Sequence, residues 1–211
     1  RSGSTVSFGN TLSAAGSDVL IVQNSGVGGN VSIGGTVTAD VVSVAGTTAL
    51  NGGTVTTAST QTYTGNVTLG AATSLVGSTV QFDGNITGGN TLAITGNALI
   101  GNAAGDSVTG VTSLTVSGTT TITSGTMNTT GIQTYTGAVT LTSNTTLAGT
   151  TVQFDGNITG GSTLAITGNA LIGNAAGDSV TGVTSLTVSG TTTITAGTMN
   201  TTGIQTYTGA V

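Results

Sequence analysis

Short apolar segments recur along the chain about every six residues and are separated by small polar corners. Within segments such as Leu92-Ala93-Ile94 and Leu114-Thr115-Val116, apolar residues alternate with small or polar ones. This period of two is typical of β-strands with one buried face. The corners are rich in glycine, asparagine and aspartate, which favour tight turns. No segment shows the 3.6-residue period of an amphipathic helix, so the pattern predicts an all-β protein of many short strands.

The pattern of segments repeats with a stride of 72 residues (133 − 61). The phrase Gln-Thr-Tyr-Thr-Gly-Xaa-Val begins at Gln61, Gln133 and Gln205. We interpret residues 1–60 as a divergent first repeat, 61–132 as the second repeat, 133–204 as the third and 205–211 as the start of a further one. All of them are expected to form one continuous solenoid, because tandem repeats of this kind stack on their neighbours.

The two full copies differ at only nine aligned pairs, most of which exchange one small or polar residue for another. The apolar positions keep their identity, with one aliphatic exception, so we expect a fixed interior and a tolerant exterior. The differing pairs are Asn66/Ala138, Gly70/Thr142, Ala71/Ser143, Ala72/Asn144, Ser74/Thr146, Val76/Ala148, Ser78/Thr150, Asn90/Ser162 and Ser124/Ala196.

A parallel β-solenoid fits these two periods better than a sandwich or a propeller. A sandwich has no reason for a near-identical 72-residue period, and a propeller blade typically runs about 40 to 50 residues and closes on itself. Segments about six residues apart give roughly twelve per repeat, and we expect a repeat to hold a whole number of turns. That means four turns of about 18 residues or three of about 24, in a rod roughly 40 to 60 Å long.

Neither terminus shows a polar element that would cap the open edges of a solenoid. Val211 also stands where Val67 and Val139 continue into another strand. We therefore expect the chain to be part of a longer array, or a subunit that continues end to end into another molecule.

Composition narrows the possible partners. The chain has no His, Cys, Lys, Glu, Trp or Pro, its only basic residue is Arg1, and its net charge is −5. Binding to phosphate backbones or anionic lipid needs clustered Lys or Arg, and no apolar run approaches the roughly 18 to 20 residues that span a bilayer. We expect no nucleic-acid partner and no membrane insertion.

Four aspartates recur between the copies: Asp83 and Asp155 in Phe-Asp-Gly-Asn, and Asp106 and Asp178 in Ala-Gly-Asp-Ser. A calcium ion needs several carboxylate and carbonyl oxygens, and glycoside cleavage needs two carboxylates ~5 to 10 Å apart. One aspartate per corner satisfies neither requirement. We interpret these residues as turn-forming or solubilising, and we expect no catalytic residue, no metal ligand, no cofactor and no enzymatic activity.

Threonine triplets and aromatic residues are the remaining candidates for binding. Thr62-Tyr63-Thr64 and residues 119–121 are similar to the threonine arrays with which some β-solenoids bind ice, although threonine also has high strand propensity. Recurrent aromatic residues could form a sugar-binding stripe, but packing in the core or at corners is the favoured interpretation. These aromatic residues are Tyr63, Tyr135, Tyr207, Phe82 and Phe154. Asn-x-Ser/Thr sequons, expected by chance in so Asn- and Thr-rich a chain, occur at Asn30, Asn66, Asn85, Asn128, Asn144, Asn157 and Asn200.

The run 113–141, SLTVSGTTTITSGTMNTTGIQTYTGAVTL, resembles the repeats of very large bacterial surface exoproteins of the filamentous-haemagglutinin type. Those proteins are exported by two-partner secretion or as autotransporter passengers. The resemblance covers nearly the whole chain, most strongly from Ser43 onward. It implies a right-handed parallel β-helix on or beyond the outer membrane, working as an adhesin stalk or matrix filament. The segment 101–110 has a fainter similarity to bacteriophage fibre shafts, which are often intertwined trimers.

Together these observations predict a non-enzymatic, secreted, extracellular or cell-surface β-solenoid that serves as a stalk or filament, with adhesion as its wider role. The expected partners are copies of itself along the solenoid axis, or neighbouring repeats of a longer chain. Host-cell or matrix glycans are a further candidate partner. The alternatives are an ice- or glycan-binding solenoid and a bacteriophage fibre shaft.

Overall fold

The computed structural model describes residues 5–10, 12–13, 19–23 and 29–211. This part of the chain contains only strands and turns, and no helix in it is long and apolar enough to cross a membrane. The strands, in chain order, are β1 (Thr5–Phe8), β2 (Leu12–Ser13), β3 (Val19–Gln23), β4 (Asn30–Ile33), β5 (Val37–Ala39), β6 (Val41–Ala45), β7 (Thr47–Leu50), β8 (Thr54–Thr57), β9 (Thr60–Tyr63), β10 (Val67–Leu69), β11 (Thr73–Phe82), β12 (Ile86–Thr87), β13 (Leu92–Ile100), β14 (Ser107–Val111), β15 (Leu114–Val116), β16 (Thr120–Ile122), β17 (Thr126–Thr129), β18 (Ile132–Tyr135), β19 (Val139–Leu141), β20 (Thr145–Phe154), β21 (Ile158–Thr159), β22 (Leu164–Ile172), β23 (Ser179–Thr181), β24 (Leu186–Val188), β25 (Thr192–Ile194), β26 (Thr198–Asn200) and β27 (Gln205–Tyr207). The all-β prediction is confirmed.

The strands pair in parallel and form three stacks around a common interior. Stack I holds β1, β4, β7, β10, β12, β14, β17, β24 and β27, with the first halves of β20 and β22. Stack II holds β2, β5, β8, β15, β18 and β25, with the first halves of β11 and β13 and the second halves of β20 and β22. Stack III holds β3, β6, β9, β16, β19, β21, β23 and β26, with the second halves of β11 and β13. Successive turns are about 19 residues apart, and the continuously described part, 29–211, makes about nine turns of a parallel β-solenoid.

Aliphatic side chains from successive turns lie above one another in the interior. On stack I, Val67, Ile86, Val108 and Met127 occupy consecutive register positions, and all four are buried. The alternation within each strand produces this arrangement, because the residues between the buried ones point outward. The expectation of an interior position was wrong for Leu99, which points outward because Ala98 and Ile100 take the inward positions of β13.

The sequence differences between the two copies lie on the exterior, as predicted. Of the nine differing pairs, only Ser124 is a buried residue. Its hydroxyl donates a hydrogen bond to the carbonyl oxygen of Ile100 at 3.1 Å. The other pairs are partly or fully exposed in both copies, so exchanges between small and polar residues there leave the interior unchanged.

Glycine is required where a long strand passes from one stack to the next. Gly96, in the middle of β13, has a φ of 124°, a region that residues with a Cβ rarely adopt. A Cβ at this position would also clash with the carbonyl oxygen of Gly77 on the preceding turn. Gly168 in β22 repeats both features. Both corners therefore depend on the missing side chain.

The 72-residue period is not a whole number of turns, so that expectation was wrong. From Val67 to the residue before Val139 the chain forms nine strands, β10 to β18, and two of these, β11 and β13, each contribute to two stacks, which makes eleven segments. With three segments per turn, a repeat makes 3⅔ turns. The expected number was twelve segments per repeat. The connection at 101–106 accounts for the missing segment, because it lengthens one turn to 22 residues, from Ile86 to Val108.

Aligned residues of successive copies consequently lie on different stacks. Tyr63 belongs to stack III, Tyr135 to stack II and Tyr207 to stack I. Each copy is therefore turned by a third of a turn relative to the copy before it.

Candidate functional site

Asp106 and Asp178 stabilise the two longest corners. The backbone N–H groups of Asn102 and Ala103 donate to Asp106 Oδ2 at 3.0 and 2.9 Å. Asp178 accepts the same two bonds from Asn174 and Ala175, both at 2.9 Å. An aspartate that accepts backbone N–H groups of the preceding residues closes a tight turn. The structure thus places both residues in the turn-forming role.

Asp83 and Asp155 lie on the outer surface, each beside a glutamine. Gln81 Nε2 donates to Asp83 Oδ1 at 2.6 Å, and Gln153 Nε2 donates to Asp155 Oδ1 at 2.7 Å. The two pairs follow different stacks, because Gln81 is on stack III and Gln153 is on stack II. The described residues contain no group of three or more His, Cys, Asp or Glu side chains that could hold a metal ion. Asp18 and Arg1 lie outside the described residues.

The repeated aromatic residues belong to the interior. Tyr63 and Phe82 lie on neighbouring turns and are fully buried, with ring centroids 5.3 Å apart and an interplanar angle of 16°. Tyr135 and Phe154 repeat this stacking at 5.3 Å and 17°. Burial raises the pKa of the Tyr63 and Tyr135 hydroxyls well above the ordinary value. The interpretation of these residues as core packing is confirmed for both pairs.

A buried glutamine, which the sequence analysis did not single out, accompanies Tyr63 and Tyr135. Gln61 Nε2 donates to the carbonyl oxygens of Val55 and Val76 at 3.0 and 2.9 Å. The Tyr63 hydroxyl donates to Gln61 Oε1 at 3.0 Å. Both polar groups are therefore satisfied without water, as buried polar groups require. The sequence Gln-x-Tyr does indicate that this glutamine is buried, because the period of two in a strand places the glutamine on the same side as the tyrosine.

Threonines form a continuous outward row on stack III. Thr121, Thr140, Thr159 and Thr181 occupy consecutive register positions, and the hydroxyls of Thr140 and Thr159 are 3.3 Å apart. Leu99 precedes the row and Asn200 follows it. The middle residue of the triplet 119–121 does not join this surface, because Thr120 is buried.

Several sequon asparagines connect one turn to the next. Asn85 Oδ1 accepts hydrogen bonds from the backbone N–H and the hydroxyl of Ser107, at 2.8 and 3.1 Å. Asn157 makes the same two contacts with Ser179. These side chains continue the ladder of hydrogen bonds at the corners, beyond the ends of the strands.

A shallow groove of about 350 Å³ lies on the outer surface of stack I. Ser32, Ala49 and Thr68 follow one another along its floor, and Asn30 and Asn51 lie at its sides. Ala49 in this groove stands where the later copy has the larger Thr121. None of the residues that line it is charged.

The geometry defines this chain as a parallel β-solenoid whose polar groups serve turns and stacking. No protein-family profile, no curated protein and no solved structure matches the chain.

Proposed function

We propose that this chain is a non-enzymatic, extracellular structural protein, a right-handed β-solenoid that serves as a stalk or filament of the cell surface or extracellular matrix. Its wider role is adhesion, and its partners are further repeats or further copies of itself along the solenoid axis. The right hand follows the general preference of crossovers between parallel strands. The resemblance of 113–141 to filamentous-haemagglutinin-type repeats supports the location and the role.

The observation that carries this proposal is the uninterrupted ladder of parallel pairings through all three stacks. Side chains that recur between the copies support that ladder: Gln61 donates to the carbonyl oxygens of Val55 and Val76 on successive turns, and Asp106 closes a corner between strands. Each repeat contacts its neighbours along the axis, as in other solenoids, so adding repeats extends the rod. Because every repeat makes the same contacts, the function that all repeats can share is to extend the rod.

The surface also suits close association of rods. The described residues include five aspartates, Asp40, Asp83, Asp106, Asp155 and Asp178, and no basic side chain. Electrostatic repulsion between copies is therefore weak at physiological salt, where exposed charges are screened within about 8 Å. The open edge of a solenoid offers backbone N–H and C=O groups to a further turn, which favours axial contact.

Electron microscopy of the purified chain at increasing concentration tests the proposal. The expected particles are rods about 40 to 50 Å long for nine turns at 4.8 Å each, which join end to end as the concentration rises. Discrete particles that never associate along the axis would refute self-assembly and leave only the role of a stalk segment. A solution mass of three intertwined chains would favour the bacteriophage fibre shaft instead.

The threonine row on stack III favours ice binding as a second candidate function. Thr121, Thr140, Thr159 and Thr181 follow one another at the ~4.8 Å spacing of stacked strands. Thermal hysteresis of the freezing point measures this activity directly, and Thr140→Val with Thr159→Val should abolish it. Hysteresis that is absent from the unmodified chain would reject this candidate.

A further inference from the structure

The three stacks of the solenoid offer equivalent environments to the same residues. In stack III, Tyr63 stacks on Phe82 at 5.3 Å and donates to Gln61 at 3.0 Å. In stack II, Tyr135 stacks on Phe154 at 5.3 Å and donates to Gln133 at 2.8 Å. In stack I, the hydroxyl of Tyr207 donates to Gln205 at 2.9 Å. The Tyr-to-Gln hydrogen bond is thus formed three times, at positions a third of a turn apart, and the aromatic stacking is formed in two of them.

The corners show the same equivalence. Asp106 closes the corner that leads from stack III to stack I, and Asp178 closes the corner from stack II to stack III with nearly the same distances. The long strands β11 and β20 have the same burial pattern, although β11 joins stacks II and III and β20 joins stacks I and II. The contacts of a residue are therefore set by its neighbours on adjacent turns and not by the stack that it occupies.

We propose that the 72-residue repeat is an interchangeable module that rotates by a third of a turn with each copy. Whole copies can be gained or lost without a change of fold, and every residue beyond the change moves to the next stack. This inference rests on the proposed function and deepens it. A stalk built in this way changes its length in steps on the order of 18 Å, which is 3⅔ turns at ~4.8 Å.

The rotation also decides what kind of partner the surface fits. The exposed segment 102–105 of one copy and 174–177 of the next lie at different corners, so they face directions a third of a turn apart. The same face shows the same residue again only after three copies, or eleven turns, roughly 53 Å along the axis. The surface therefore fits partners that surround the stalk, such as neighbouring copies packed around it, better than one flat lattice.

Two deletions separate this proposal from its alternative, in which each copy is adapted to its own stack. Deletion of 61–132 joins Thr60 to Gln133 and reproduces the original contacts, because Gln133 and Tyr135 stack on Val42 and Val44 as Gln61 and Tyr63 did. Deletion of 61–119 removes three whole turns and keeps every residue on its stack. It places Thr120 and Ile122 on Val42 and Val44 instead.

We expect the variant lacking 61–132 to melt near the temperature of the unmodified chain. The variant lacking 61–119 should melt more than about 5 °C lower, because its seam is mispacked. The opposite order, or loss of the β-sheet circular dichroism in the first variant alone, would overturn the proposal.

Cysteine pairs report the rotation itself, since the chain has no cysteine of its own. Ala49 pairs with Thr68 in the unmodified chain, so Ala49→Cys with Thr68→Cys should form a disulfide there. Ala49→Cys with Thr140→Cys should not, because Thr140 belongs to stack III. In the variant lacking 61–132, Thr140 takes the place of Thr68, and this second pair should form a disulfide.

A folded deletion variant without the second disulfide would refute the rotation. These results do not depend on the stalk function, which fails separately if the microscopy shows no rods.

Discussion

Replacement of Thr120 by valine is expected to stabilise the protein. In the described part of the chain, two buried side-chain polar atoms lack a hydrogen-bond partner, Oγ1 of Thr120 and Oγ1 of its equivalent Thr192. Thr120 lies between Ala98 and Val139 in the interior row of stack III, where no polar group faces its hydroxyl. Valine has the same shape and places a methyl group there instead.

The size of the effect follows from the cost of an unsatisfied polar group. Leaving a buried hydroxyl without a partner costs about 1 to 3 kcal/mol, and the added methyl group contributes roughly 0.8 kcal/mol or less. We expect Thr120→Val to raise the free energy of unfolding by about 1 to 2 kcal/mol, which is a rise of roughly 2 to 8 °C in melting temperature. Thr192→Val should add to it, because residues more than about 10 Å apart act independently.

Thr145 provides the matched control, because it is equally buried but its hydroxyl is paired. Thr145 Oγ1 lies 3.0 Å from the carbonyl oxygen of Ser143 and 3.1 Å from that of Ser124. Thr145→Val should therefore lower stability by about 0.5 to 1.5 kcal/mol. Thermal and urea unfolding followed by circular dichroism at pH 7 measure both variants. A Thr120→Val protein that is no more stable than the unmodified chain would refute the reasoning.

Three further predictions concern the buried tyrosines and the glycine corners. Tyr135→Phe leaves Gln133 Oε1 without its donor and should cost about 1 to 3 kcal/mol in urea unfolding, whereas Tyr207→Phe, at the partly exposed Tyr207, should cost less. Burial raises the pKa of Tyr63 and Tyr135 above 10.0, so these tyrosines ionise in the unfolded chain at a lower pH than in the folded one. The tyrosine contribution to stability should therefore be constant below about pH 10 and fall above it. The double variant Tyr63→Phe with Tyr135→Phe should weaken this fall. Gly96→Ala places a Cβ against the Gly77 carbonyl at positive φ and should lower the free energy of unfolding by about 2 kcal/mol or more. Gly89 has open space around it, so Gly89→Ala should leave the melting temperature unchanged. Equal melting temperatures for the two variants would contradict the requirement for glycine at the corner.

The strands and the solenoid class were predictable from the sequence, because strand alternation and a long tandem period each have a direct physical cause. The apolar peaks from Val67 to Ile132 in fact number eleven. Dividing the 72-residue repeat by an average interval of about six residues gives roughly twelve segments instead. That average ignores the connection closed by Asp106, whose extra length is decided by backbone hydrogen bonds at the corner.

The burial of single residues was harder to predict where a polar residue faces the interior of the solenoid or an apolar residue faces outward. Gln133 is polar and fully buried, because two carbonyl oxygens and a tyrosine hydroxyl satisfy its amide. Ile132 is apolar, yet 48% of its surface is exposed, because its neighbour Gln133 takes the inward position. The candidate sites followed the same rule. Single aspartates predicted turns correctly for Asp106, whereas the glutamine beside each tyrosine was found only from the three-dimensional contacts.

The length of the rod as a function of repeat number is the sharpest test of a solenoid built from rotating modules. Variants with one, two and three additional copies of 61–132 can be imaged by electron microscopy. We expect particles of constant width whose length grows by about 18 Å for each copy, or 3⅔ turns at ~4.8 Å. Particles that widen as copies are added, or that grow by a clearly different step, would contradict a solenoid built from rotating 72-residue modules.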